Sequence, residues 1–133
     1  MSMDHSARNV HLQKGLDFLR HGDFFAAHEE WEIPWREMAG RQRSFWQAMI
    51  QLSVGVYHFE KQNRTGCLNL WNKALKRCNQ LLENHSGPRL APVAELREVL
   101  LLCLEKTAAG EDPRPEIRRF AANTVQPGWF EFA

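Results

Sequence analysis

The sequence predicts an all-α fold: a single-domain bundle of about five main helices, with a hydrophobic third helix near the centre. Three observations carry this. Every long segment repeats its apolar residues at helical spacing. Gly and Pro cluster between those segments, and no β-hairpin signature occurs. The 133 residues, 44% hydrophobic and 25% charged, suit one globular domain over 1–133 with one core.

Helix 1 is expected over Ala7 to His21, with Leu12, Leu16 and Leu19 on one face. Gly22 stops it. Asp23 then reads as the N-cap of helix 2, its carboxylate accepting from a first-turn N–H. Helix 2 is expected over Phe24 to Met38. Pro34 inside it removes a backbone donor and strands the Glu30 carbonyl, so a kink or break is expected there. Helices 1 and 2 resemble a helix-turn-helix repeat unit, with no second copy evident.

Helix 3, Arg41 to Lys61, is the most apolar. Phe45, Met49, Leu52, Val56 and Phe59 form one face, widened by Trp46, Ile50 and Tyr57. Helix 4, Arg64 to Asn84, turns Cys67, Trp71, Ala74, Cys78 and Leu81 inward. A turn at His85 to Pro88 precedes helix 5, which begins near Pro92, a residue suited to a first turn. After a break over Gly110 to Pro115, a short helix around Glu116 to Ala122 is expected. The tail carries Trp129, Phe130 and Phe132, and is expected to pack on the bundle or on a second subunit.

A net charge of +1 gives composition no argument for nucleic-acid binding, although a local basic patch is compatible with it. The three cysteines, Cys67, Cys78 and Cys103, form no paired motif and lie on apolar faces. They read as core residues in a reducing, cytoplasmic setting. No signal peptide and no apolar run long enough to span a bilayer is read from the chain.

The polar residues of interest lie in two places. In helix 2, His28, Glu32 and Trp35 fall within roughly 60° of one another, with Glu29 to one side. In helix 3, Gln47, Gln51, Gly55, His58 and Gln62 share about 80° of surface. Amides and imidazoles both donate and accept hydrogen bonds, which suits a semi-buried seam. A short connection favours antiparallel neighbours. The expectation is that His28 and Glu32 face Gln51 and His58 across helices 2 and 3, with Trp31, Trp35, Trp46 and Tyr57 at the rim.

These residues also carry a resemblance. Gly22-Asp23-Phe24-Phe25-Ala26-Ala27-His28-Glu29-Glu30-Trp31-Glu32, with Trp35, resembles the leading motif of the helical family named domain of unknown function 309. Phe45, Gln47, Ile50, Gln51 and His58 match its second block, and Asn63 and Gly66 its third. Gln62 stands where that family has a glycine, Cys67 where it has an alanine, and Pro34 is atypical. The resemblance covers about residues 12–82. It implies a helical bundle and no particular activity.

Three functional readings follow. A binding module would use His28, Glu29, Glu32, Trp35, Gln47, Gln51 and His58 to hold a small molecule or partner segment. A metal-dependent enzyme, a hydrolase for example, would use His28, Glu32 and His58 around a divalent transition metal, with Glu29 as base or fourth ligand. A purely structural hydrogen-bond network would fix helix register.

Overall fold

The computed structural model describes residues 3–123. Six α-helices follow in order: α1 His5–His21, α2 Phe24–Trp35, α3 Gly40–Glu60, α4 Arg64–Asn84, α5 Ala91–Ala108 and α6 Arg114–Asn123. A 3-10 turn, Pro88–Leu90, leads into α5. No strand occurs among the described residues. The aromatic tail and its expected packing lie outside them.

Each helix packs on its successor, and α6 returns against α1. The three hairpins α1–α2, α3–α4 and α5–α6 thus close around one core. α3 packs on α2 and α4 and touches α5. Phe45, Trp46, Met49, Leu52 and Val56 lose all exposure in that position.

The ends of the helices follow local chemistry. Asp4, rather than a residue nearer Ala7, caps α1 by accepting from the Ala7 N–H at 2.8 Å. Gly22 ends α1 at φ 86°, with its N–H on the Leu19 carbonyl and the Asp23 N–H on Phe18. The Asp23 carboxylate makes no capping hydrogen bond, contrary to expectation. Its carbonyl accepts from Ala27 N–H instead. Pro34 lies in the last turn of α2, which stops at Trp35 rather than Met38, because the freed Glu30 carbonyl no longer propagates the ladder.

The first two hairpins share one plan, which the sequence reading missed. In α1–α2, the Trp31 indole lies on Gly15, and its Nε1–H donates to the Leu12 carbonyl at 3.1 Å. In α3–α4, the Trp71 indole lies on Gly55, and its Nε1–H donates to the Leu52 carbonyl at 3.1 Å. Both pairs span 19 residues. Leu12, Gly15 and Trp31 recur as Leu52, Gly55 and Trp71. The turns correspond as well. Gln62 takes φ 61° where Gly22 takes 86°. Asn63, the counterpart of Asp23, does cap: its Oδ1 accepts from Gly66 N–H at 3.0 Å. A second copy of the helix-turn-helix unit therefore exists, disguised by different side chains on the same backbone plan.

Candidate functional site

α2 and α3 run antiparallel. At one end the Phe25 and Tyr57 rings lie 4.6 Å apart; further on, Trp31 and Trp46 lie 5.6 Å apart. At the other end Trp35 Nε1–H donates to the Arg43 carbonyl at 3.0 Å, and the Arg43 guanidinium covers the Trp35 ring at 3.9 Å. Trp35, the last residue of α2 after Pro34, thus sits at the α2–α3 corner.

His28 is buried on the α3 side of α2. Its Nδ1–H donates to the Phe25 carbonyl of its own helix. This places a proton on Nδ1, and in the neutral ring Nε2 is then the acceptor. Nε2 makes no hydrogen bond to a described residue. The imidazole meets the Phe25 ring edge-on at 4.4 Å. Glu32, one turn on, is half-buried, and its carboxylate has no hydrogen bond or ion pair among the described residues. The expected hold of Glu32 on the imidazole is absent, because the nearer main-chain carbonyl takes Nδ1–H.

Counting from the two ring contacts places His28 level with the stretch of α3 between Met49 and Val54. His58 lies beyond that stretch, about 6 to 14 Å further along the axis at 1.5 Å per residue. The Phe25 and Tyr57 rings stand between the two imidazoles, with Tyr57 and His58 centred 5.7 Å apart. His58 instead accepts from Asn63 Nδ2 at 3.4 Å in the α3–α4 turn. Direct metal ligation needs nitrogens about 2 Å from one ion. Among the described residues no group of three or more His, Cys, Asp or Glu side chains could hold a metal ion. The expected set of His28, Glu32 and His58 around a divalent transition metal is therefore not assembled.

Gln51 also departs from the expected seam. It lies one turn from Gly55, which faces Trp71, so both belong to the α4 side of α3. The repeat explains its surroundings. Its counterpart in α1 is His11, whose Nδ1 bonds Glu30 Oε1 at 3.0 Å across α1–α2. The counterpart of Glu30 is Leu70. Gln51 is therefore buried with its Oε1 unpartnered among the described residues. Gly55 admits the Trp71 indole rather than a ligand. Gln47 is half-buried beside the Glu32 level of α3, and Glu29 is exposed without a partner among the described residues.

Sequence reasoning missed the His11–Glu30 pair and the Ser53 hydroxyl, which donates to the Phe24 carbonyl at the α2–α3 contact. A search for recurrence of Leu-x-x-Gly and Trp at one spacing would have revealed the frame holding both. Trp31 and Trp46, expected at a pocket rim, are fully buried core. The exposed ring is Phe25, at 44%.

With that frame in view, the comparison with known proteins is direct. Residues 12–70 match the family model described as domain of unknown function (DUF309). The matched segment holds the whole first hairpin plan and the start of the second. Its leading motif places Ala27 and Trp31 against α1 and His28 against α3. Its Asn-x-x-Gly block, Asn63 to Gly66, is a helix cap: a Cβ on Gly66 would lie 2.6 Å from Asn63 Nδ2. Uncharacterized protein YpuF of Bacillus subtilis (strain 168) is 32% identical over 62 residues, 46% of this chain and 36% of that protein. The matched region thus spans little more than a third of that relative. No solved structure matches the chain.

The cysteines are core groups. Cys67, Cys78 and Cys103 are buried, and burial pushes the Cys67 and Cys78 thiols up to about 12 and Cys103 upward as well. Such thiols are poor nucleophiles near neutral pH. No helix among the described residues is long and apolar enough to cross a membrane.

Proposed function

We propose that this protein is a binding module, and that the α2–α3 face around His28, Glu32 and Trp35 takes a small ligand or a partner segment. One observation carries the reading. His28 is buried, its Nδ1–H is committed to the main chain, and its Nε2 acceptor has no partner among the described residues. With the ring oriented through Nδ1, a free Nε2 is preorganised to bond a ligand or a water. Glu32 adds a second uncommitted acceptor one turn away, and the half-exposed Phe25 ring adds apolar area beside it. Few polar groups among apolar walls suit ligand recognition.

The test is a small-molecule and peptide screen by amide chemical shift and thermal shift. Binding should perturb the amides of α2 and the middle of α3, and His28→Ala should abolish it. Hits that map elsewhere, or that persist in His28→Ala, would contradict the site. Stoichiometric divalent metal in protein purified without a histidine tag, lost in both His28→Ala and Glu32→Ala, would favour the metal-enzyme reading instead.

A further inference from the structure

An open groove of about 760 Å³ lies between the C-terminal end of α1 and α6, and His28 does not line it. Its lining is rich in arginine, although the chain as a whole carries only +1. Arg20, Arg114, Arg118 and Arg119 line it, against two carboxylates, Glu60 and Asp112. Both carboxylates are engaged by one arginine. Arg114 makes a double contact to Asp112 and a 3.1 Å bond to Glu60. That arginine holds the Asp112 carboxyl below its usual range. Arg20 and Arg119 are paired with Asp17 and Glu116, so Arg118 is the lining arginine with no carboxylate partner among the described residues.

Two of those three are braced by main-chain carbonyls. Arg118 Nε–H donates to the Arg20 carbonyl at 3.0 Å, and Arg20 Nε–H donates to the Ala121 carbonyl at 3.0 Å. This reciprocal clasp fixes both guanidinium planes through Nε. The two terminal nitrogens of Arg118 make no hydrogen bond to a described residue. Arg20 uses one terminal nitrogen on Asp17 at 3.2 Å, and Arg119 one on Glu116 at 2.7 Å. Each keeps a terminal nitrogen uncommitted. Arg114 and Arg118 are like charges one turn apart on α6, and Arg118 is held against Arg20 of α1. A planar guanidinium fork with free N–H groups is the side chain best suited to phosphate oxygens.

We infer that this groove is a binding site for a small phosphate-bearing anion, with Arg118 and Arg20 as its principal ligands and Arg119 at its edge. A diphosphate offers one phosphoryl group to each braced guanidinium. The site is independent of the α2–α3 face, so either stands without the other.

The test is a thermal melt of the full chain in inorganic pyrophosphate against sodium chloride at matched ionic strength, which separates binding from screening. Saturating pyrophosphate should raise the melting temperature by about 3–6 °C, since a ligand that binds only the folded state stabilises it. Arg118→Gln should lose that rise while remaining folded by circular dichroism. Arg89→Gln, on the exposed 3-10 turn, should keep it. A further arm measures sedimentation with phosphatidylserine vesicles. No pyrophosphate effect, an effect unchanged in Arg118→Gln, or Arg118-dependent vesicle binding without a pyrophosphate effect would each overturn the inference.

Discussion

Gly15→Ala and Gly55→Ala test the shared hairpin plan most sharply. A Cβ on Gly15 would lie 2.0 Å from Trp31 Nε1 and 2.4 Å from its Cδ1; on Gly55 it would lie 2.3 Å and 2.6 Å from the same atoms of Trp71. Ordinary carbon contacts are about 3.5–4.0 Å, so each indole would have to move by more than 1 Å. Both indoles are fully buried, so no open space receives them. Overpacking of this kind costs about 1–3 kcal/mol. Displacing the ring also strands its N–H away from the Leu12 or Leu52 carbonyl, a further cost of about 1–3 kcal/mol. Better helix propensity of alanine returns about 1 kcal/mol. The net expectation is a loss of about 1–5 kcal/mol for each substitution, read from urea midpoints at unchanged m-value. In a cycle with Trp31→Phe, part of the Gly15→Ala cost should disappear, because the smaller ring relieves the clash. Either alanine variant matching or exceeding the parent in stability would refute the shared plan.

Other expectations follow from the same geometry. Gln62 holds φ 61°, a conformation that costs a non-glycine residue about 1–2 kcal/mol, so Gln62→Gly should raise stability by up to about 1 kcal/mol after the added unfolded-state entropy. His28→Ala should cost about 2–3 kcal/mol through lost packing, whereas Glu32→Ala, with no partner to lose, should stay within about 0.5 kcal/mol, both by urea melts. Gln51→Leu should be neutral or stabilising, since it removes a buried acceptor that has no partner among the described residues. The buried cysteines keep their protons to higher pH in the fold than in the unfolded chain. Their stabilisation is therefore full below the unfolded thiol value of about 8.5 and is lost as pH rises toward about 12. The unfolding free energy from urea melts should fall across that window by about 1.4 kcal/mol per pH unit for each proton released on unfolding, and less steeply in Cys78→Ser.

The helices were legible because their apolar stripes dominate local choices. The Leu12, Leu16 and Leu19 face, and the breaks at Gly22 and Pro88, follow from spacing and turn chemistry alone. The long-range geometry was less legible. The angular arithmetic that placed Gln51 with His58 on one stripe of α3 was sound. Which neighbour that stripe meets depends on how α3 rotates between α2 and α4, and the Gly55–Trp71 contact fixes that rotation. His28 and His58 were expected to meet because antiparallel helices bring opposite ends together. The register, set by Phe25–Tyr57 and Trp31–Trp46, instead puts His28 opposite the middle of α3. The repeat escaped notice because its corresponding turn residues differ, Gly22 against Gln62, while the pairing of a glycine with a tryptophan from the next helix is visible only in three dimensions.

The claim that His28 anchors a binding face is tested most directly by imidazole ¹⁵N spectra of the folded protein during ligand screening. The account predicts a ring protonated at Nδ1, and a ligand whose addition shifts the Nε2 resonance while Nδ1–H remains on the Phe25 carbonyl. A ring protonated at Nε2 instead, or ligands that bind tightly while leaving the His28 Nε2 resonance unmoved, would contradict it.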